Sequence, residues 1–251
     1  MKQKMMVLMG CFLMAGCASQ IDNQQSKVLD SLGDIYAEDN RFSEAEEYYQ
    51  RAYMNQPNNI SLMLKLADVL VQEGKLSQAI QLYEKILEKD PYNEKARYRL
   101  ARVQMASGHL SAALNGYIIL LKTNKKNVQS LNGLGVLLDH VGYSVKAQSC
   151  YKTGLKYAPK DFSLLNNLGM SYALSGHLKQ ATFYLQKSSE ALKTTRPLNN
   201  IKLISRYYRD MPDPMQRQKA LRQILLIKAK STNPSLVSQT LGAAETWCKQ
   251  A

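Results

Sequence analysis

The chain has 251 residues, and 33 lysines and arginines against 20 aspartates and glutamates give it a formal net charge of +13 at pH 7. This basic balance bears on association with charged partners and not on the fold. The three histidines have no cysteine or carboxylate at the spacing of a zinc signature, which argues against a zinc enzyme.

The first 16 residues have the form of a secretory signal peptide. Two lysines precede an apolar run from Met5 to Met14, and the sequence Ala-Gly-Cys17 follows. The apolar run is too short to cross a bilayer as a mature helix. We therefore expect residues 1–16 to be removed when the protein is exported.

The sequence Met-Ala-Gly-Cys that ends at Cys17 resembles the lipobox of bacterial lipoproteins, in which the cysteine is acylated and becomes the first residue. Met14 stands where leucine is usual. The resemblance implies a lipid anchor at Cys17, with residues 17–25 as the lipidated cysteine and a short polar tether. Ala18 stands where inner-membrane lipoproteins carry aspartate, which implies the periplasmic face of the outer membrane. The alternative is an ordinary signal peptide that contains a cysteine.

A stretch of 34 residues occurs five times in register between residues 26 and 195. Within each copy, apolar or small residues recur at offsets of three and four, which predicts two amphipathic helices. The turn between them carries a glycine or asparagine, because a left-handed residue ends a helix there at least steric cost. These turn residues are Asn40, Gly74, Gly108, Gly142 and Gly176. A fixed period of this length is typical of a solenoid.

Each copy also carries one small residue on each helix, which would let the two helices approach closely. Those on the first helix are Gly33, Ala67, Ala101, Gly135 and Gly169. Those on the second helix are Ala45, Ala79, Ala113, Ala147 and Ala181. Pro57, Pro91 and Pro159 are expected to end the second helix. Lys125 and Lys193 take that position in copies three and five, where we expect looser helix ends.

This pattern resembles the tetratricopeptide repeat over about two thirds of the chain. The resemblance implies an all-α fold, an α-solenoid in which helix–turn–helix repeats form a right-handed superhelix. Proteins of this family bind peptides on the concave surface formed by the first helices. Carried over to this chain, the groove positions are Leu64, Asp68, Tyr98, Arg102, Met105, Asn132, Val136, Asn166 and Met170.

Within this set, we expect Leu64 and Tyr98 to anchor a bound peptide, because a few aromatic and apolar contacts dominate such binding. Arg102 would set the charge preference, and Asn132 and Asn166 would bond the peptide backbone. The alternatives are a groove without a ligand and a groove filled by the C-terminal segment of the same chain.

The repeat pattern is lost in residues 196–251, for which we predict a degenerate helical cap. Helices are predicted over Pro197–Asp210, over Asp213–Lys230 and from Pro234 to Cys248. The middle helix starts at Asp-Pro, as a capped helix does. It is basic and amphipathic, which suits either a membrane surface or the cap that covers the open face of a repeat array. We favour the cap.

Two cysteines, Cys150 and Cys248, remain after the signal peptide and the predicted lipid site. An oxidising periplasm would permit a disulfide between them. However, Cys150 lies on a predicted repeat helix and Cys248 lies at the far end of the chain. The sequence alone therefore favours two buried free thiols.

The charge is distributed unevenly along the chain. Residues 17–59 hold three basic and eight acidic side chains, whereas residues 193–251 hold eleven basic and three acidic ones. A basic end invites a nucleic-acid interpretation, but exported lipoproteins rarely meet nucleic acid. We therefore expect a protein or an anionic surface as the partner.

The sequence contains no glycine-rich phosphate loop and no nucleophile elbow, so we expect a non-enzyme without cofactor, metal or small-molecule substrate. Its layout resembles the TadD lipoproteins of tight-adherence (Flp) pilus systems and the pilotins of type IV pili. That resemblance implies a scaffold for pilus assembly that localises or multimerises a secretin. The alternative is an NlpI-like adaptor that recruits periplasmic proteases or peptidoglycan hydrolases.

Overall fold

A computed structural model describes residues 24–192, 196–211, 213–225 and Cys248 of the chain. The predicted signal peptide, the lipid site at Cys17, Lys193 and all of the last predicted helix except Cys248 lie outside these residues. The described part of the chain contains twelve α-helices and no strand. The predicted all-α class is confirmed.

Ten of these helices form five consecutive pairs, one pair for each 34-residue copy. The first helices of the pairs are α1 (24–38), α3 (Ile60–Gln72), α5 (Glu94–Ala106), α7 (Val128–His140) and α9 (Phe162–Leu174). The second helices are α2 (Phe42–Asn55), α4 (Leu76–Lys89), α6 (Leu110–Thr123), α8 (Ser144–Tyr157) and α10 (Leu178–Leu192).

The turn inside each pair has the predicted left-handed residue. Asn40 has a φ of 59°, and the four turn glycines have φ values from 76° at Gly74 to 96° at Gly142. A side chain with a Cβ is strained in this region. The one exception to glycine is an asparagine, the residue that tolerates it best after glycine.

The second helices end where the sequence predicts. Pro57, Pro91 and Pro159 each lie two residues beyond the last residue of their helix. Helix α6 has no such proline and still ends at the equivalent residue, Thr123. Here the Asn124 side chain accepts a hydrogen bond of 3.0 Å from the Lys126 backbone N–H, as the Asp90 side chain does from Tyr92 beside Pro91, so the same polar turn follows the helix with or without the proline.

Four of the first helices begin with a side-chain cap. Asn59, Asn93, Asn127 and Asp161 each accept a hydrogen bond from the backbone N–H three residues later. The shortest of the four, 2.8 Å, joins Asp161 to Leu164. Such a cap satisfies one of the backbone donors that have no partner inside the helix.

Replacing Asp161 with alanine is expected to lower the free energy of unfolding by about 1 kcal/mol, because a backbone donor at the start of α9 loses its acceptor. Chemical denaturation of the two proteins measures this difference. The matched control is Asp161→Asn, which keeps an acceptor oxygen and should change stability by only a few tenths of a kcal/mol. An equal loss in both variants would contradict the capping role.

The chain divides into two compact units between Ala96 and Arg97, inside α5. In the first unit, the buried residues of α2 and α4 are alanines, tyrosines and an isoleucine: Ala45, Tyr49, Ala52, Ala79, Tyr83 and Ile86. In the second unit, the core contains the equivalent residues Ala113, Tyr117, Ala147, Tyr151 and Ala181. Each unit therefore builds its core from the same repeat positions.

Gly135 shows why the small residue on the first helix is needed. A Cβ built on this glycine would lie 2.4 to 2.8 Å from three ring atoms of Tyr151. Gly33 stands in the same relation to Tyr49, at 2.5 Å. The paired helices approach closely at these positions because an aromatic ring of the second helix packs directly on the glycine backbone of the first helix.

Beyond the repeats, α11 (Arg196–Asp210) and α12 (Pro214–Leu225) pack against α9, and α11 also contacts α10. Ile204 is buried in the core, and the Tyr208 hydroxyl donates a hydrogen bond of 2.9 Å to the Ala173 carbonyl. Asp213 caps α12 through the Met215 N–H, as the sequence predicts. These two helices therefore lie against the last repeat, and a helical cap over residues 196–251 stays a prediction.

The prediction of two free thiols is wrong, because Cys150 and Cys248 form a disulfide across 98 residues, with their Cα atoms 4.6 Å apart. Both cysteines are buried. The Thr153 hydroxyl also donates a hydrogen bond of 2.7 Å to the Cys248 carbonyl. Distance along the sequence suggested distance in space, but residue 248 lies against α8.

Candidate functional site

The predicted groove residues differ in how far they are accessible. Leu64, Met105 and Met170 are buried, so their side chains contribute to the cores of their units. The remaining residues are half-buried or, in the case of Arg102, exposed: Asp68, Tyr98, Arg102, Asn132, Val136 and Asn166. Leu64 and Asp68 belong to the first unit and the others to the second.

In the first unit, Asp30 and Asp34 of α1 form hydrogen bonds and ion pairs with other residues of the chain. The Tyr49 hydroxyl donates to Asp34 at 2.7 Å, and the Lys65 ammonium contacts both Asp30 and Asp34 at 2.8 Å. Burial, together with the hydrogen bond to Asp34, raises the pKa of Tyr49. The hydroxyl therefore remains a proton donor to the carboxylate.

The next repeat contains the same pair of residues. The Tyr83 hydroxyl donates to Asp68 at 2.6 Å, across the same separation of 15 residues. The Tyr151 hydroxyl also donates to an aspartate, the buried Asp139, at 3.0 Å, but here the two residues are 12 positions apart. A tyrosine of the second helix that donates to an aspartate of the first helix is thus a repeated feature of this chain.

The third repeat departs from this pattern. Arg102 stands 15 residues before Tyr117, where the first two repeats have aspartate. The Tyr117 side chain is fully buried, and its hydroxyl has no hydrogen-bond partner among the described residues. Burial raises the pKa of Tyr117, and the charge of Arg102 partly opposes this rise. The hydroxyl is therefore a protonated donor that has no acceptor in the described part of the chain.

Tyr98 contacts both Tyr117 and Arg102. Its ring centroid lies 6.2 Å from that of Tyr117, and the Arg102 guanidinium carbon lies 5.8 Å from the Tyr98 centroid. This second distance is within the range of a cation–π contact. Two predicted groove residues, Tyr98 and Arg102, are therefore brought together beside a buried hydroxyl.

The predicted asparagines belong to one row of amides in the second unit. Asn200 donates to Asn166 at 3.0 Å, Asn166 to Asn167 at 3.3 Å, and Asn167 to Asn132 at 2.9 Å. The row joins α7, α9 and α11. The amide orientation of Asn132 and Asn166 is thus fixed by their neighbours before any peptide arrives.

Sequence reasoning did not select Tyr117, Asn167 or Asn200. The repeat pattern alone does not single out Tyr117, although comparison of residues 15 apart shows that its aspartate is missing. The asparagines at 132, 166 and 200 are spaced by 34 residues. That spacing continues the row into α11, which sequence reasoning treated as lying outside the repeat.

The two units differ in charge more than the ends of the chain do. Residues 1–96 contain ten basic and 14 acidic side chains, and residues 97–251 contain 23 basic and six acidic ones. The Tyr117 hydroxyl lies in the basic unit, and the net positive charge of that unit favours anionic groups near its surface.

No helix in the described ranges is long and apolar enough to span a bilayer. The same residues hold no cluster of three or more histidines, cysteines, aspartates or glutamates that could bind a metal ion.

A cleft of about 310 Å³ lies beside Tyr208 and Arg217, where α9 meets α11 and α12. None of the predicted groove residues lines this cleft.

Two family models, both described as tetratricopeptide repeat, match residues 31–94 and 70–132. A crystal structure of MamA protein is 22% identical and has a TM-score of 0.55, with 68% of this chain and 94% of that chain covered. A MamA fragment from Desulfovibrio magneticus RS-1 is 16% identical and has a TM-score of 0.58, with 67% and 96% covered. No curated protein sequence matches this chain. These likenesses show that the fold is a tetratricopeptide-type solenoid.

Proposed function

We propose that this chain is a non-enzymatic scaffold that binds protein partners on the first helices of its repeats. The observation that carries the proposal is the set of accessible polar and aromatic side chains on α5, α7 and α9. Tyr98 and Arg102 lie beside an unsatisfied donor, and Asn132 and Asn166 belong to a pre-ordered amide row. Pre-ordered side chains lose less entropy when a peptide binds.

The finer proposal is that the partner is a secretin or another pilus-assembly protein. Its support is the sequence layout, with a signal peptide, a lipobox and five repeats followed by a helical cap. Cys248 is bonded to α8, a second helix, whereas Asn132 and Asn166 lie on the first helices α7 and α9, so this one residue is not held at the predicted groove positions.

We also propose that Cys17 anchors the protein to the outer membrane. Cys17→Ser should leave the signal peptide uncleaved and remove the protein from outer-membrane fractions, because a thioether-linked lipid cannot form on serine. Membrane fractionation and palmitate labelling measure both effects. The matched control is Cys11→Ser within the apolar run, which should be labelled and sorted like the wild type. Wild-type protein without palmitate would contradict the anchor.

The scaffold proposal is tested with Tyr98→Ala combined with Asn132→Ala. Removing an aromatic anchor and a backbone contact should reduce co-purification of the secretin at least about tenfold, as expected for a binding hot spot. Secretin multimers in the cell should decrease in parallel. Tyr92→Ala is the control, since this tyrosine is 87% exposed and lies in the first unit.

Thermal unfolding of both variants must show that the fold is kept. If secretin multimers form normally in cells that lack this protein, the pilus-assembly role is wrong. Co-purification of a periplasmic protease or a peptidoglycan hydrolase, lost in the same double variant, would then favour the adaptor function.

A further inference from the structure

The starting point is an interrupted pattern of hydrogen bonds. Tyr49, Tyr83 and Tyr151 are buried, and each donates its hydroxyl to an aspartate. Tyr117 occupies the equivalent repeat position and is just as deeply buried, yet its hydroxyl has no partner among the described residues. A buried hydroxyl without an acceptor is destabilising, and such groups are rare in folded proteins.

The surroundings of this hydroxyl provide donors and positive charge. Arg102 replaces the aspartate of the first two repeats. Gly133 of α7 lies against the end of the Tyr117 ring, where a Cβ would stand 2.5 Å from two ring carbons and 2.8 Å from the oxygen. Because glycine has no side chain, α7 supplies no acceptor to this hydroxyl from that position. An acceptor, preferably an anionic one, is what the site lacks.

We propose that Tyr117 and Arg102 form a binding site for a carboxylate of the partner protein, which takes the place of the missing aspartate. The carboxylate accepts one hydrogen bond from the Tyr117 hydroxyl and others from the Arg102 guanidinium. Because the Tyr117 side chain is fully buried, a neighbouring side chain must move before the carboxylate can reach the hydroxyl, and the half-buried Tyr98, in contact with both residues, is the one that would turn aside. This inference rests on the proposed scaffold function and specifies the chemistry of the partner.

The charge of the unit agrees with this assignment. The unit that contains the site has 23 basic and six acidic residues, so it attracts an acidic segment before contact is made. Arg102 is exposed and can pair with the carboxylate at the surface. The buried hydroxyl then provides the specific contact, since hydrogen bonds to charged groups are stronger than neutral ones.

The binding test uses the full chain and three fluorescent peptides: polyglutamate with an amidated C-terminus, polyglutamine with a free C-terminus, and polyglutamine amide. Polyglutamate should bind at least about tenfold more tightly than polyglutamine amide, the ratio given by one charged hydrogen bond. Tight binding of the second peptide instead would identify a C-terminal carboxylate as the ligand. If neither acidic probe binds better than polyglutamine amide, the proposal is overturned.

Two variants separate a specific site from general attraction to a basic surface. Arg102→Asp introduces the aspartate that the first two repeats have at this position, so it should raise the melting temperature and weaken binding of the acidic probe at least about tenfold. Lys122→Gln, which removes an exposed charge on α6, is the matched control and should weaken binding less than about twofold. An equal loss in the two variants would overturn the site.

Tyr117→Phe tests the hydroxyl itself. It should raise the melting temperature, because it removes an unsatisfied group, and weaken binding of the acidic probe about fivefold. Tyr49→Phe is the control and should lower the melting temperature, because Asp34 loses one of its two donors and keeps only Lys65. Unchanged binding by Tyr117→Phe would mean that the tyrosine has only a structural role and would refute the carboxylate site. The scaffold proposal would not be refuted by that result, because it is tested separately with the Tyr98→Ala and Asn132→Ala double variant.

Discussion

Gly135→Val is expected to lower the free energy of unfolding by about 3 kcal/mol or to prevent folding of the second unit. Its Cβ would overlap three ring atoms of Tyr151 at 2.4 to 2.8 Å. The ring cannot move aside cheaply, because it is buried and its hydroxyl is bonded to Asp139. Gly135→Ala should lose about 1 kcal/mol, since the better helix propensity of alanine offsets part of the overlap.

Denaturant titration measures these losses, and Lys156→Val is the matched control. Lys156 is exposed on α8, so valine there changes helix propensity without overlap and should cost less than about 0.5 kcal/mol. Combining Gly135→Ala with Tyr151→Leu should cost less than the sum of the two changes, because each relieves the other. Full additivity would mean that the glycine and the ring are not coupled.

The repeats could be predicted because their determinants are local. Turn residues such as Gly74 and Gly142, and small residues such as Gly135, act on neighbours within one copy, so a 34-residue period exposes them. The ends of the second helices followed from Pro57 and its equivalents for the same reason. Helix α6 ends at the equivalent residue, Thr123, without a proline, so the proline is not required to end the helix.

The candidate site was harder to predict because it depends on contacts between copies. Helical periodicity placed Leu64, Met105 and Met170 with the groove residues, but burial depends on what packs against each position. The site at Tyr117 becomes visible only when residues 15 apart are compared across repeats. The disulfide could not be predicted because its two cysteines are 98 residues apart, and no local sequence pattern indicates that they lie close together in the fold.

Removing the disulfide is expected to lower the free energy of unfolding by about 2 to 4 kcal/mol. A cross-link that closes a loop of about 100 residues restricts the unfolded chain strongly, by about 4.7 kcal/mol in the chain-entropy account, and measured effects are usually smaller. The Cys150→Ala and Cys248→Ala double variant should therefore melt at a lower temperature than the wild type. A reducing agent should lower the melting temperature of the wild type alone.

The loss should have a structural signature as well as a magnitude. Cys248 is held by the disulfide and by the Thr153 hydroxyl, and a hydrogen bond to backbone contributes only about 1 kcal/mol. Thr153→Val in the oxidised protein should thus cost less than the double cysteine variant, and in the reduced protein it should release residue 248 from α8. Mass spectrometry of an unreduced tryptic digest must show the peptide that contains Cys150 linked by a disulfide to the peptide that contains Cys248. Two separate thiol peptides from freshly exported protein would refute the bond and restore the prediction of free, buried thiols.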